Sequence, residues 1–198
     1  MSLQLSYSFL APFYDLFAIP VFRAARRASL AALPRDGSGT VLLNGVGTGL
    51  DLPFLPRGHR YVGLDLTRAM LRRSVRRAGE HEFAAVEGNS LALPFRDGSF
   101  DHAVLHLILA VVPDAARALS ETVRVVRPGG TILVLDKFLR GNQRAPLRRL
   151  LNPLAARLVT RLDVSLDDVL PAVPGVRVVT NEPVAAGGWF RLLRLERL

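Results

Sequence analysis

The 198-residue chain is predicted to be an α/β domain with a doubly wound, mostly parallel sheet and helices on both of its faces. Three observations predict it. Strand-like apolar runs alternate with helical spacing between residues 40 and 136. The runs Val104-Leu105-His106-Leu107-Ile108 and Ile132-Leu133-Val134-Leu135 are apolar on both faces, as parallel strands covered by helices on each side must be. Finally, Val41-Leu42-Leu43 leads straight into Gly45-Val46-Gly47-Thr48-Gly49, the pattern of a buried strand that ends in a backbone-exposing turn.

The elements follow in order. Residues 9 to 33 place apolar side chains at helical spacing, with Arg23, Arg26 and Arg27 on the other face, and Pro12 and Pro20 divide the segment into short helices. Pro34-Arg35-Asp36-Gly37 breaks it. Then come strand 40–46, a short helix after Asp51, strand 60–65, helix 67–78 starting at Thr67, strand 82–86, strand 100–105, helix 114–126 and strand 131–136. Arg124-Val125-Val126-Arg127-Pro128-Gly129-Gly130 closes the last of these helices with basic residues and a Pro-Gly-Gly turn. Residues 145 to 161 read as an arginine-studded amphipathic helix interrupted by Pro153, and Val176-Arg177-Val178-Val179 and Trp189-Phe190-Arg191-Leu192-Leu193 as two closing strands. The length fits one domain: residues 1–36 form a helical cap, 37–137 a ligand-binding core, and 138–198 the remaining helices and closing strands.

Composition narrows the function classes. The formal charge of +9 comes almost wholly from arginine, Lys137 being the one lysine, so it reflects overall residue usage as readily as an anionic partner. With no aromatic-interleaved basic tract, nucleic acid is not an expected partner. The absence of cysteine excludes disulfides and cysteine-ligated metals, and it fits a reducing, cytoplasmic setting. The start Met1-Ser2-Leu3-Gln4 shows no charged leader region, and no run reaches the roughly eighteen apolar residues that a membrane span needs.

Glycine at 45, 47 and 49 lets a ligand lie against the main chain. Asp65 ends the apolar run Tyr61-Val62-Gly63-Leu64 twenty residues after Gly45, a spacing that sets its carboxylate at the carboxyl edge of a parallel sheet, within reach of a ribose hydroxyl pair. The G-x-G-x-G spacing differs from the G-x-G-x-x-G of dinucleotide folds, and it lacks the Lys-Ser/Thr end of a phosphate-binding loop. A G-x-S-x-G nucleophile elbow is absent. His102 and His106, four residues apart on a strand, stand about 13 Å apart, so no metal site is expected.

Five motifs in order resemble the class I S-adenosylmethionine-dependent methyltransferases: Gly45-Val46-Gly47-Thr48-Gly49, Gly63-Leu64-Asp65-Leu66-Thr67-Arg68-Ala69-Met70-Leu71, Gly88-Asn89-Ser90-Leu91-Ala92-Leu93-Pro94-Phe95, Ser99-Phe100-Asp101 and Arg127-Pro128-Gly129-Gly130. The resemblance covers residues 7 to 137. Ala11-Pro12-Phe13-Tyr14-Asp15 and the segment 92–101 look most like the group that holds the quinone-biosynthesis and phosphatidylethanolamine methyltransferases. It implies a Rossmann-like sheet of about seven strands and an enzyme that uses S-adenosyl-L-methionine and leaves S-adenosyl-L-homocysteine. The implied acceptor is a small molecule or a lipid.

The resemblance also implies roles. Gly45, Gly47 and Gly49 would lie beneath the methionine and ribose portions of the cofactor, Asp65 would bind the ribose hydroxyls, Leu66 and Met70 would flank the adenine, and Asn89 and Ser90 would face its edge. Relatives usually have aspartate where Asn89 stands and an acid where Leu43 stands. These two departures keep open a non-catalytic or cofactor-impaired binding module as the alternative.

Methyl transfer is an in-line displacement, which needs near-attack geometry and a route for a proton. His106, past the fourth strand, is the catalytic candidate, expected to face the transferred methyl; the competing reading is a histidine bonded to backbone. Tyr7 and Tyr14 are acceptor-side candidates, with simple packing as the competing reading. Asp101 reads as structural. Residues 10–33 and 146–158 set leucines and aromatics against arginines, the composition of helices that lie on anionic membrane, so peripheral contact at the inner membrane face is also expected, against ordinary packing on the sheet.

Overall fold

The computed structural model describes residues 22–35, 38–138, 164–185 and 189–198. A helix α1 covers 22–30. It is followed by β1 (Thr40–Asn44), a 3-10 turn (Leu52–Phe54), β2 (Arg60–Asp65), α2 (Arg68–Arg77), β3 (Glu82–Glu87), β4 (Phe100–His106), α3 (Ala115–Val125), β5 (Val126–Lys137), a helical turn (Leu166–Val169), β6 (Val176–Ala185) and β7 (Phe190–Arg197). The predicted helix 145–161 and Tyr7 and Tyr14 lie outside the described residues.

The seven strands form one sheet in the order β3-β2-β1-β4-β5-β7-β6. From β3 to β5 neighbours run parallel, and β7 runs antiparallel to both β5 and β6. The chain steps outward from β1 to β3 and returns beside β1 as β4. Strand order therefore reverses between β1 and β4, where parallel sheets open a crevice at their carboxyl ends.

Strand alternation divides the interior into two layers. Leu42, Ala103, Leu105, Ile132 and Val134 pack toward Ala118 and Leu119 of α3. Val41, Leu43, Tyr61, Val104 and Leu133 pack toward Leu30 of α1 and Leu71 of α2. The sheet is covered on both faces, as its two-sided apolar strands required.

Among the boundaries that differ from the sequence reading, three have a clear local reason. β1 ends at Asn44 rather than 46 because Gly45 turns the chain at φ +76°. β5 begins at Val126, directly after α3, and runs through Pro128-Gly129-Gly130 instead of turning there; the register slips between Phe100 and His102. A Cβ on Gly130 would lie 2.5 Å from the Asp101 carbonyl oxygen, so glycine here permits close strand approach. β6 extends to Ala185, beyond the predicted strand Val176-Arg177-Val178-Val179. It is the outer strand of the sheet, where register shifts and a proline are tolerated.

Candidate cofactor and acceptor site

The glycine loop and Asp65 meet at the carboxyl edge. Gly45 and Val46 both donate to the Leu64 carbonyl, each at 2.9 Å, which presses the loop onto the end of β2. The Asp65 carboxylate then clamps the turn: Oδ2 accepts from Gly47 N–H and Oδ1 from Thr67 N–H, each at 2.9 Å. Thr67 starts α2 as predicted, but its own side chain makes no capping bond; Asp65 satisfies the first amide instead. Burial raises the Asp65 carboxyl above its ordinary value, opposed by the amides of Thr67, Gly47 and Leu66. Each oxygen retains lone-pair capacity toward the crevice.

The three glycines are not equivalent. All have positive φ, but a Cβ on Gly45 would lie 2.7 Å from Ile108 and one on Gly49 2.5 Å from Leu52. A Cβ on Gly47 would meet nothing within 4 Å. Gly45 and Gly49 are thus required by packing, whereas Gly47 borders open space. From behind, Arg77 donates to the Thr48 carbonyl at 2.7 Å and hydroxyl at 3.0 Å.

On the expected adenine side, Leu66 is 48% exposed and Met70 is buried. Asn89 is exposed, and its Oδ1 accepts from Leu91 N–H at 2.9 Å. The turn holds the carbonyl end of the amide, leaving two N–H donors for a ring nitrogen. Ser90 points inward: its hydroxyl donates to Asn44 Oδ1 at 2.6 Å, and Asn44 Nδ2 donates to Thr122 Oγ1 at 3.0 Å. Asn44 thus serves the α3 face, opposite Leu43. Leu43 is buried among Leu30, Leu33, Val104 and Leu133; the position where relatives carry an acid is part of the core here.

His106 ends β4 beneath α1. Its Nδ1 lies 2.7 Å from Asp51 Oδ1 and its Nε2 2.9 Å from Ser29 Oγ. Asp51 Oδ1 also accepts from Arg26 Nη1 at 2.6 Å. Burial by itself would raise the Asp51 carboxyl; the His106 ring and the Arg26 guanidinium together hold it well below the usual carboxylate range. The bonds follow the Ser-His-Asp pattern, although no nucleophile elbow is present, but Ser29, His106 and Asp51 are only 4%, 5% and 6% exposed. The set fastens α1 to the sheet edge; it does not present a nucleophile. The ring expected to face the transferred methyl is therefore covered by α1, because Ser29 on that helix and Asp51 just past the glycine loop bind its two nitrogens. The next residue, Leu107, has φ +60°, a conformation costly for a branched side chain and characteristic of functional edges.

Asp136, at the carboxyl end of β5, ties the following loop. Oδ2 accepts from Leu109 N–H at 2.7 Å and Ala110 N–H at 3.3 Å, and Oδ1 from Lys137 N–H at 2.8 Å. Complete burial pushes its carboxyl up to about 6 against these bonds. Asp101 is structural, as read: it accepts from Thr40 N–H at 2.7 Å and Arg127 Nε at 2.6 Å.

Sequence reasoning missed Arg26, Ser29, Asp51 and Asp136. Asp51 stood in view two residues after Gly49, but it read as a helix start, and its partners lie 25 and 55 positions away.

Residues 42–134 match the family described as "Methyltransferase domain". The chain is 32% identical over 191 residues to a phosphatidylethanolamine N-methyltransferase of Cereibacter sphaeroides, covering 93% of this chain and 92% of that protein. It is 39% identical over 84 residues to a demethylmenaquinone methyltransferase of Listeria welshimeri, which covers 41% of this chain and only 35% of that protein. The fold is similar to a solved SAM-dependent methyltransferase of Thermotoga maritima, described as a possible histamine N-methyltransferase, with a TM-score of 0.73 at 19% identity over 99% of this chain and 100% of that one.

Proposed function

Since the chain belongs to the S-adenosylmethionine-dependent methyltransferases, we propose that its acceptor is lipid-like and that the residues around Gly47 and Asp65 hold the cofactor. The observation that carries this reading is the open space in front of Gly47 beside a carboxylate already fixed by two amides. A side-chain-free turn and preset hydrogen-bond acceptors are what a nucleoside with two ribose hydroxyls requires. Bound there, S-adenosylmethionine would supply an electrophilic methyl group on a sulfonium.

The chain's own residues do the rest. Asp65 accepts from the ribose hydroxyls with the lone pairs that Gly47 and Thr67 leave. Leu66 and Met70 cover the adenine faces, and Asn89 offers N–H donors to its edge. Gly45 and Gly49 keep the loop seated against Ile108 and Leu52. Ser90, its hydroxyl engaged with Asn44, supports this edge through its backbone position.

His106 acts through α1 and does not itself touch the acceptor. Asp51 Oδ1 and Ser29 Oγ hold its two ring nitrogens, which seats α1 over the carboxyl ends of β1 and β4. His106 is in this sense a positioning residue for the segment that borders the proposed site. A lipid-like acceptor is supported by the extended match to the protein named phosphatidylethanolamine N-methyltransferase, and among the described residues no helix is long and apolar enough to cross a membrane.

Calorimetric titration with S-adenosylhomocysteine tests the cofactor site. Micromolar binding is expected, and no heat at millimolar ligand would favour a binding module without cofactor. His106→Ala should lower turnover on a phosphatidylethanolamine dispersion far more than it lowers S-adenosylhomocysteine affinity. Unchanged turnover would return His106 to a purely structural latch.

A further inference from the structure

All but one of the chain's 26 basic residues are arginine, so the number of arginines on any surface says little, and their partners say more. On α3 the arginines are matched: Arg117 lies 3.5 Å and Arg124 2.8 Å from Glu121, and Arg124 also lies 2.7 Å from Asp97. On α2 five of ten residues are arginine and none is acidic. Arg68 pairs with Glu87 at 2.8 Å and Arg77 binds the glycine loop. Among the described residues no ion pair joins Arg72, Arg73 or Arg76. The other acids of the neighbouring segments are already engaged, Glu80 with Arg57 at 2.9 Å and Glu82 with Arg60 at 2.6 Å.

Arg68, Arg72 and Arg76 stand at i, i+4 and i+8, one above another along a groove of about 540 Å³ between α2 and β3, floored by Leu71 and Ala85. Like charges at this spacing destabilise a helix, a cost that an anionic partner would remove. Val75, in the lining of the groove, is 53% exposed. Guanidinium groups beside aliphatic side chains suit the boundary between phosphate headgroups and acyl chains. Among the described residues every exposed large apolar side chain is aliphatic, so this surface lacks the aromatic platforms on which unpaired bases stack.

We propose that the α2 groove docks the protein on an anionic phospholipid surface, with Arg72 and Arg76 against the phosphates and Val75 in the interfacial layer. Since α2 starts three residues after Asp65, a bilayer lying along it adjoins the mouth of the cofactor crevice. The docking does not rest on the acceptor being a lipid, and it requires neither cofactor nor turnover.

Co-sedimentation of the full chain tests it, using vesicles of phosphatidylcholine alone and with about a third phosphatidylglycerol, at low and at physiological salt. The parent pellets with anionic vesicles, less so as salt rises. Arg72→Gln/Arg76→Gln lowers the partition coefficient by roughly 30-fold, with S-adenosylhomocysteine binding as in the parent. Arg57→Gln/Arg60→Gln removes the same charge from arginines that already have carboxylate partners, and it changes partitioning by no more than about threefold. The proposal is overturned if the first pair of substitutions leaves pelleting intact, if the second pair abolishes it equally, if neutral vesicles bind as well, or if the parent binds an oligonucleotide resin but no vesicle.

Discussion

Gly47 and Gly49 stand two residues apart in one loop at φ +55° and +82°, and alanine should separate their roles. At 47 the new Cβ meets no atom within 4 Å. The cost is the left-handed backbone alone, about 1–2 kcal/mol, less about 0.4–1 kcal/mol recovered from a stiffer unfolded chain. A net loss near 1 kcal/mol lowers Tm by about 2–4 °C in a chain of this size. At 49 the same Cβ would stand 2.5 Å from Leu52 Cδ1 and 3.0 Å from Ser74 Cα. The leucine methyl can swing aside, but the α2 backbone cannot, so overpacking adds about 1–3 kcal/mol and the fall in Tm reaches roughly 5–12 °C. Affinity should follow the opposite order. Gly47→Ala puts a methyl into the space reserved for the cofactor and weakens S-adenosylhomocysteine binding at least tenfold, whereas Gly49→Ala, while folded, binds within a few-fold of the parent. Thermal melts and calorimetric titrations of both variants decide the matter. If Gly47→Ala binds as tightly as the parent, the open space is not the cofactor's; if the two melt alike, the loop does not pack as described.

Two further outcomes follow from the buried carboxylates. Asp51→Asn breaks the buried Arg26–Asp51 pair and should cost about 3–5 kcal/mol in urea unfolding; a loss below 1 kcal/mol would show the pair to be solvated. Because the Asp51 carboxyl is held low, its contribution is fully present above the ordinary carboxylate value near 4 and fades as pH falls below it, so the variant should show a flatter acid limb than the parent. Asp136 has the opposite sign: its folded value of about 6 lies above the unfolded one, so its stabilisation is complete below about pH 4 and is lost as pH rises through 6. The parent should therefore lose up to about 3 kcal/mol across that interval, and Asp136→Asn should lose little of it. A parent with no such decline between pH 4 and 7 would refute the raised carboxyl.

The order of elements and the meeting of the glycine loop with Asp65 were legible in the sequence, because both are written in short-range patterns. Two-sided apolar strands demand helices on both faces, and β2 runs over residues 60–65, as its apolar run predicted. The pairing of glycine loop and Asp65 was equally local, since strand length sets the spacing that brings Asp65 Oδ2 to Gly47 N–H. What the sequence left open depended on contacts between distant segments. That one glycine of three faces open space, that Ser90 turns inward to Asn44, and that Leu43 belongs to the core are decided by neighbours at positions 108, 52, 122 and 104. The cover over His106 is the clearest case. Arg26, Ser29, Asp51 and His106 carry no shared periodicity or motif, and only the docking of α1 over the ends of β1 and β4 brings them within 2.6–2.9 Å of one another. In a buried setting the cost of leaving any one of these polar groups unpaired is what locks them together, and that cost does not exist until the chain has folded.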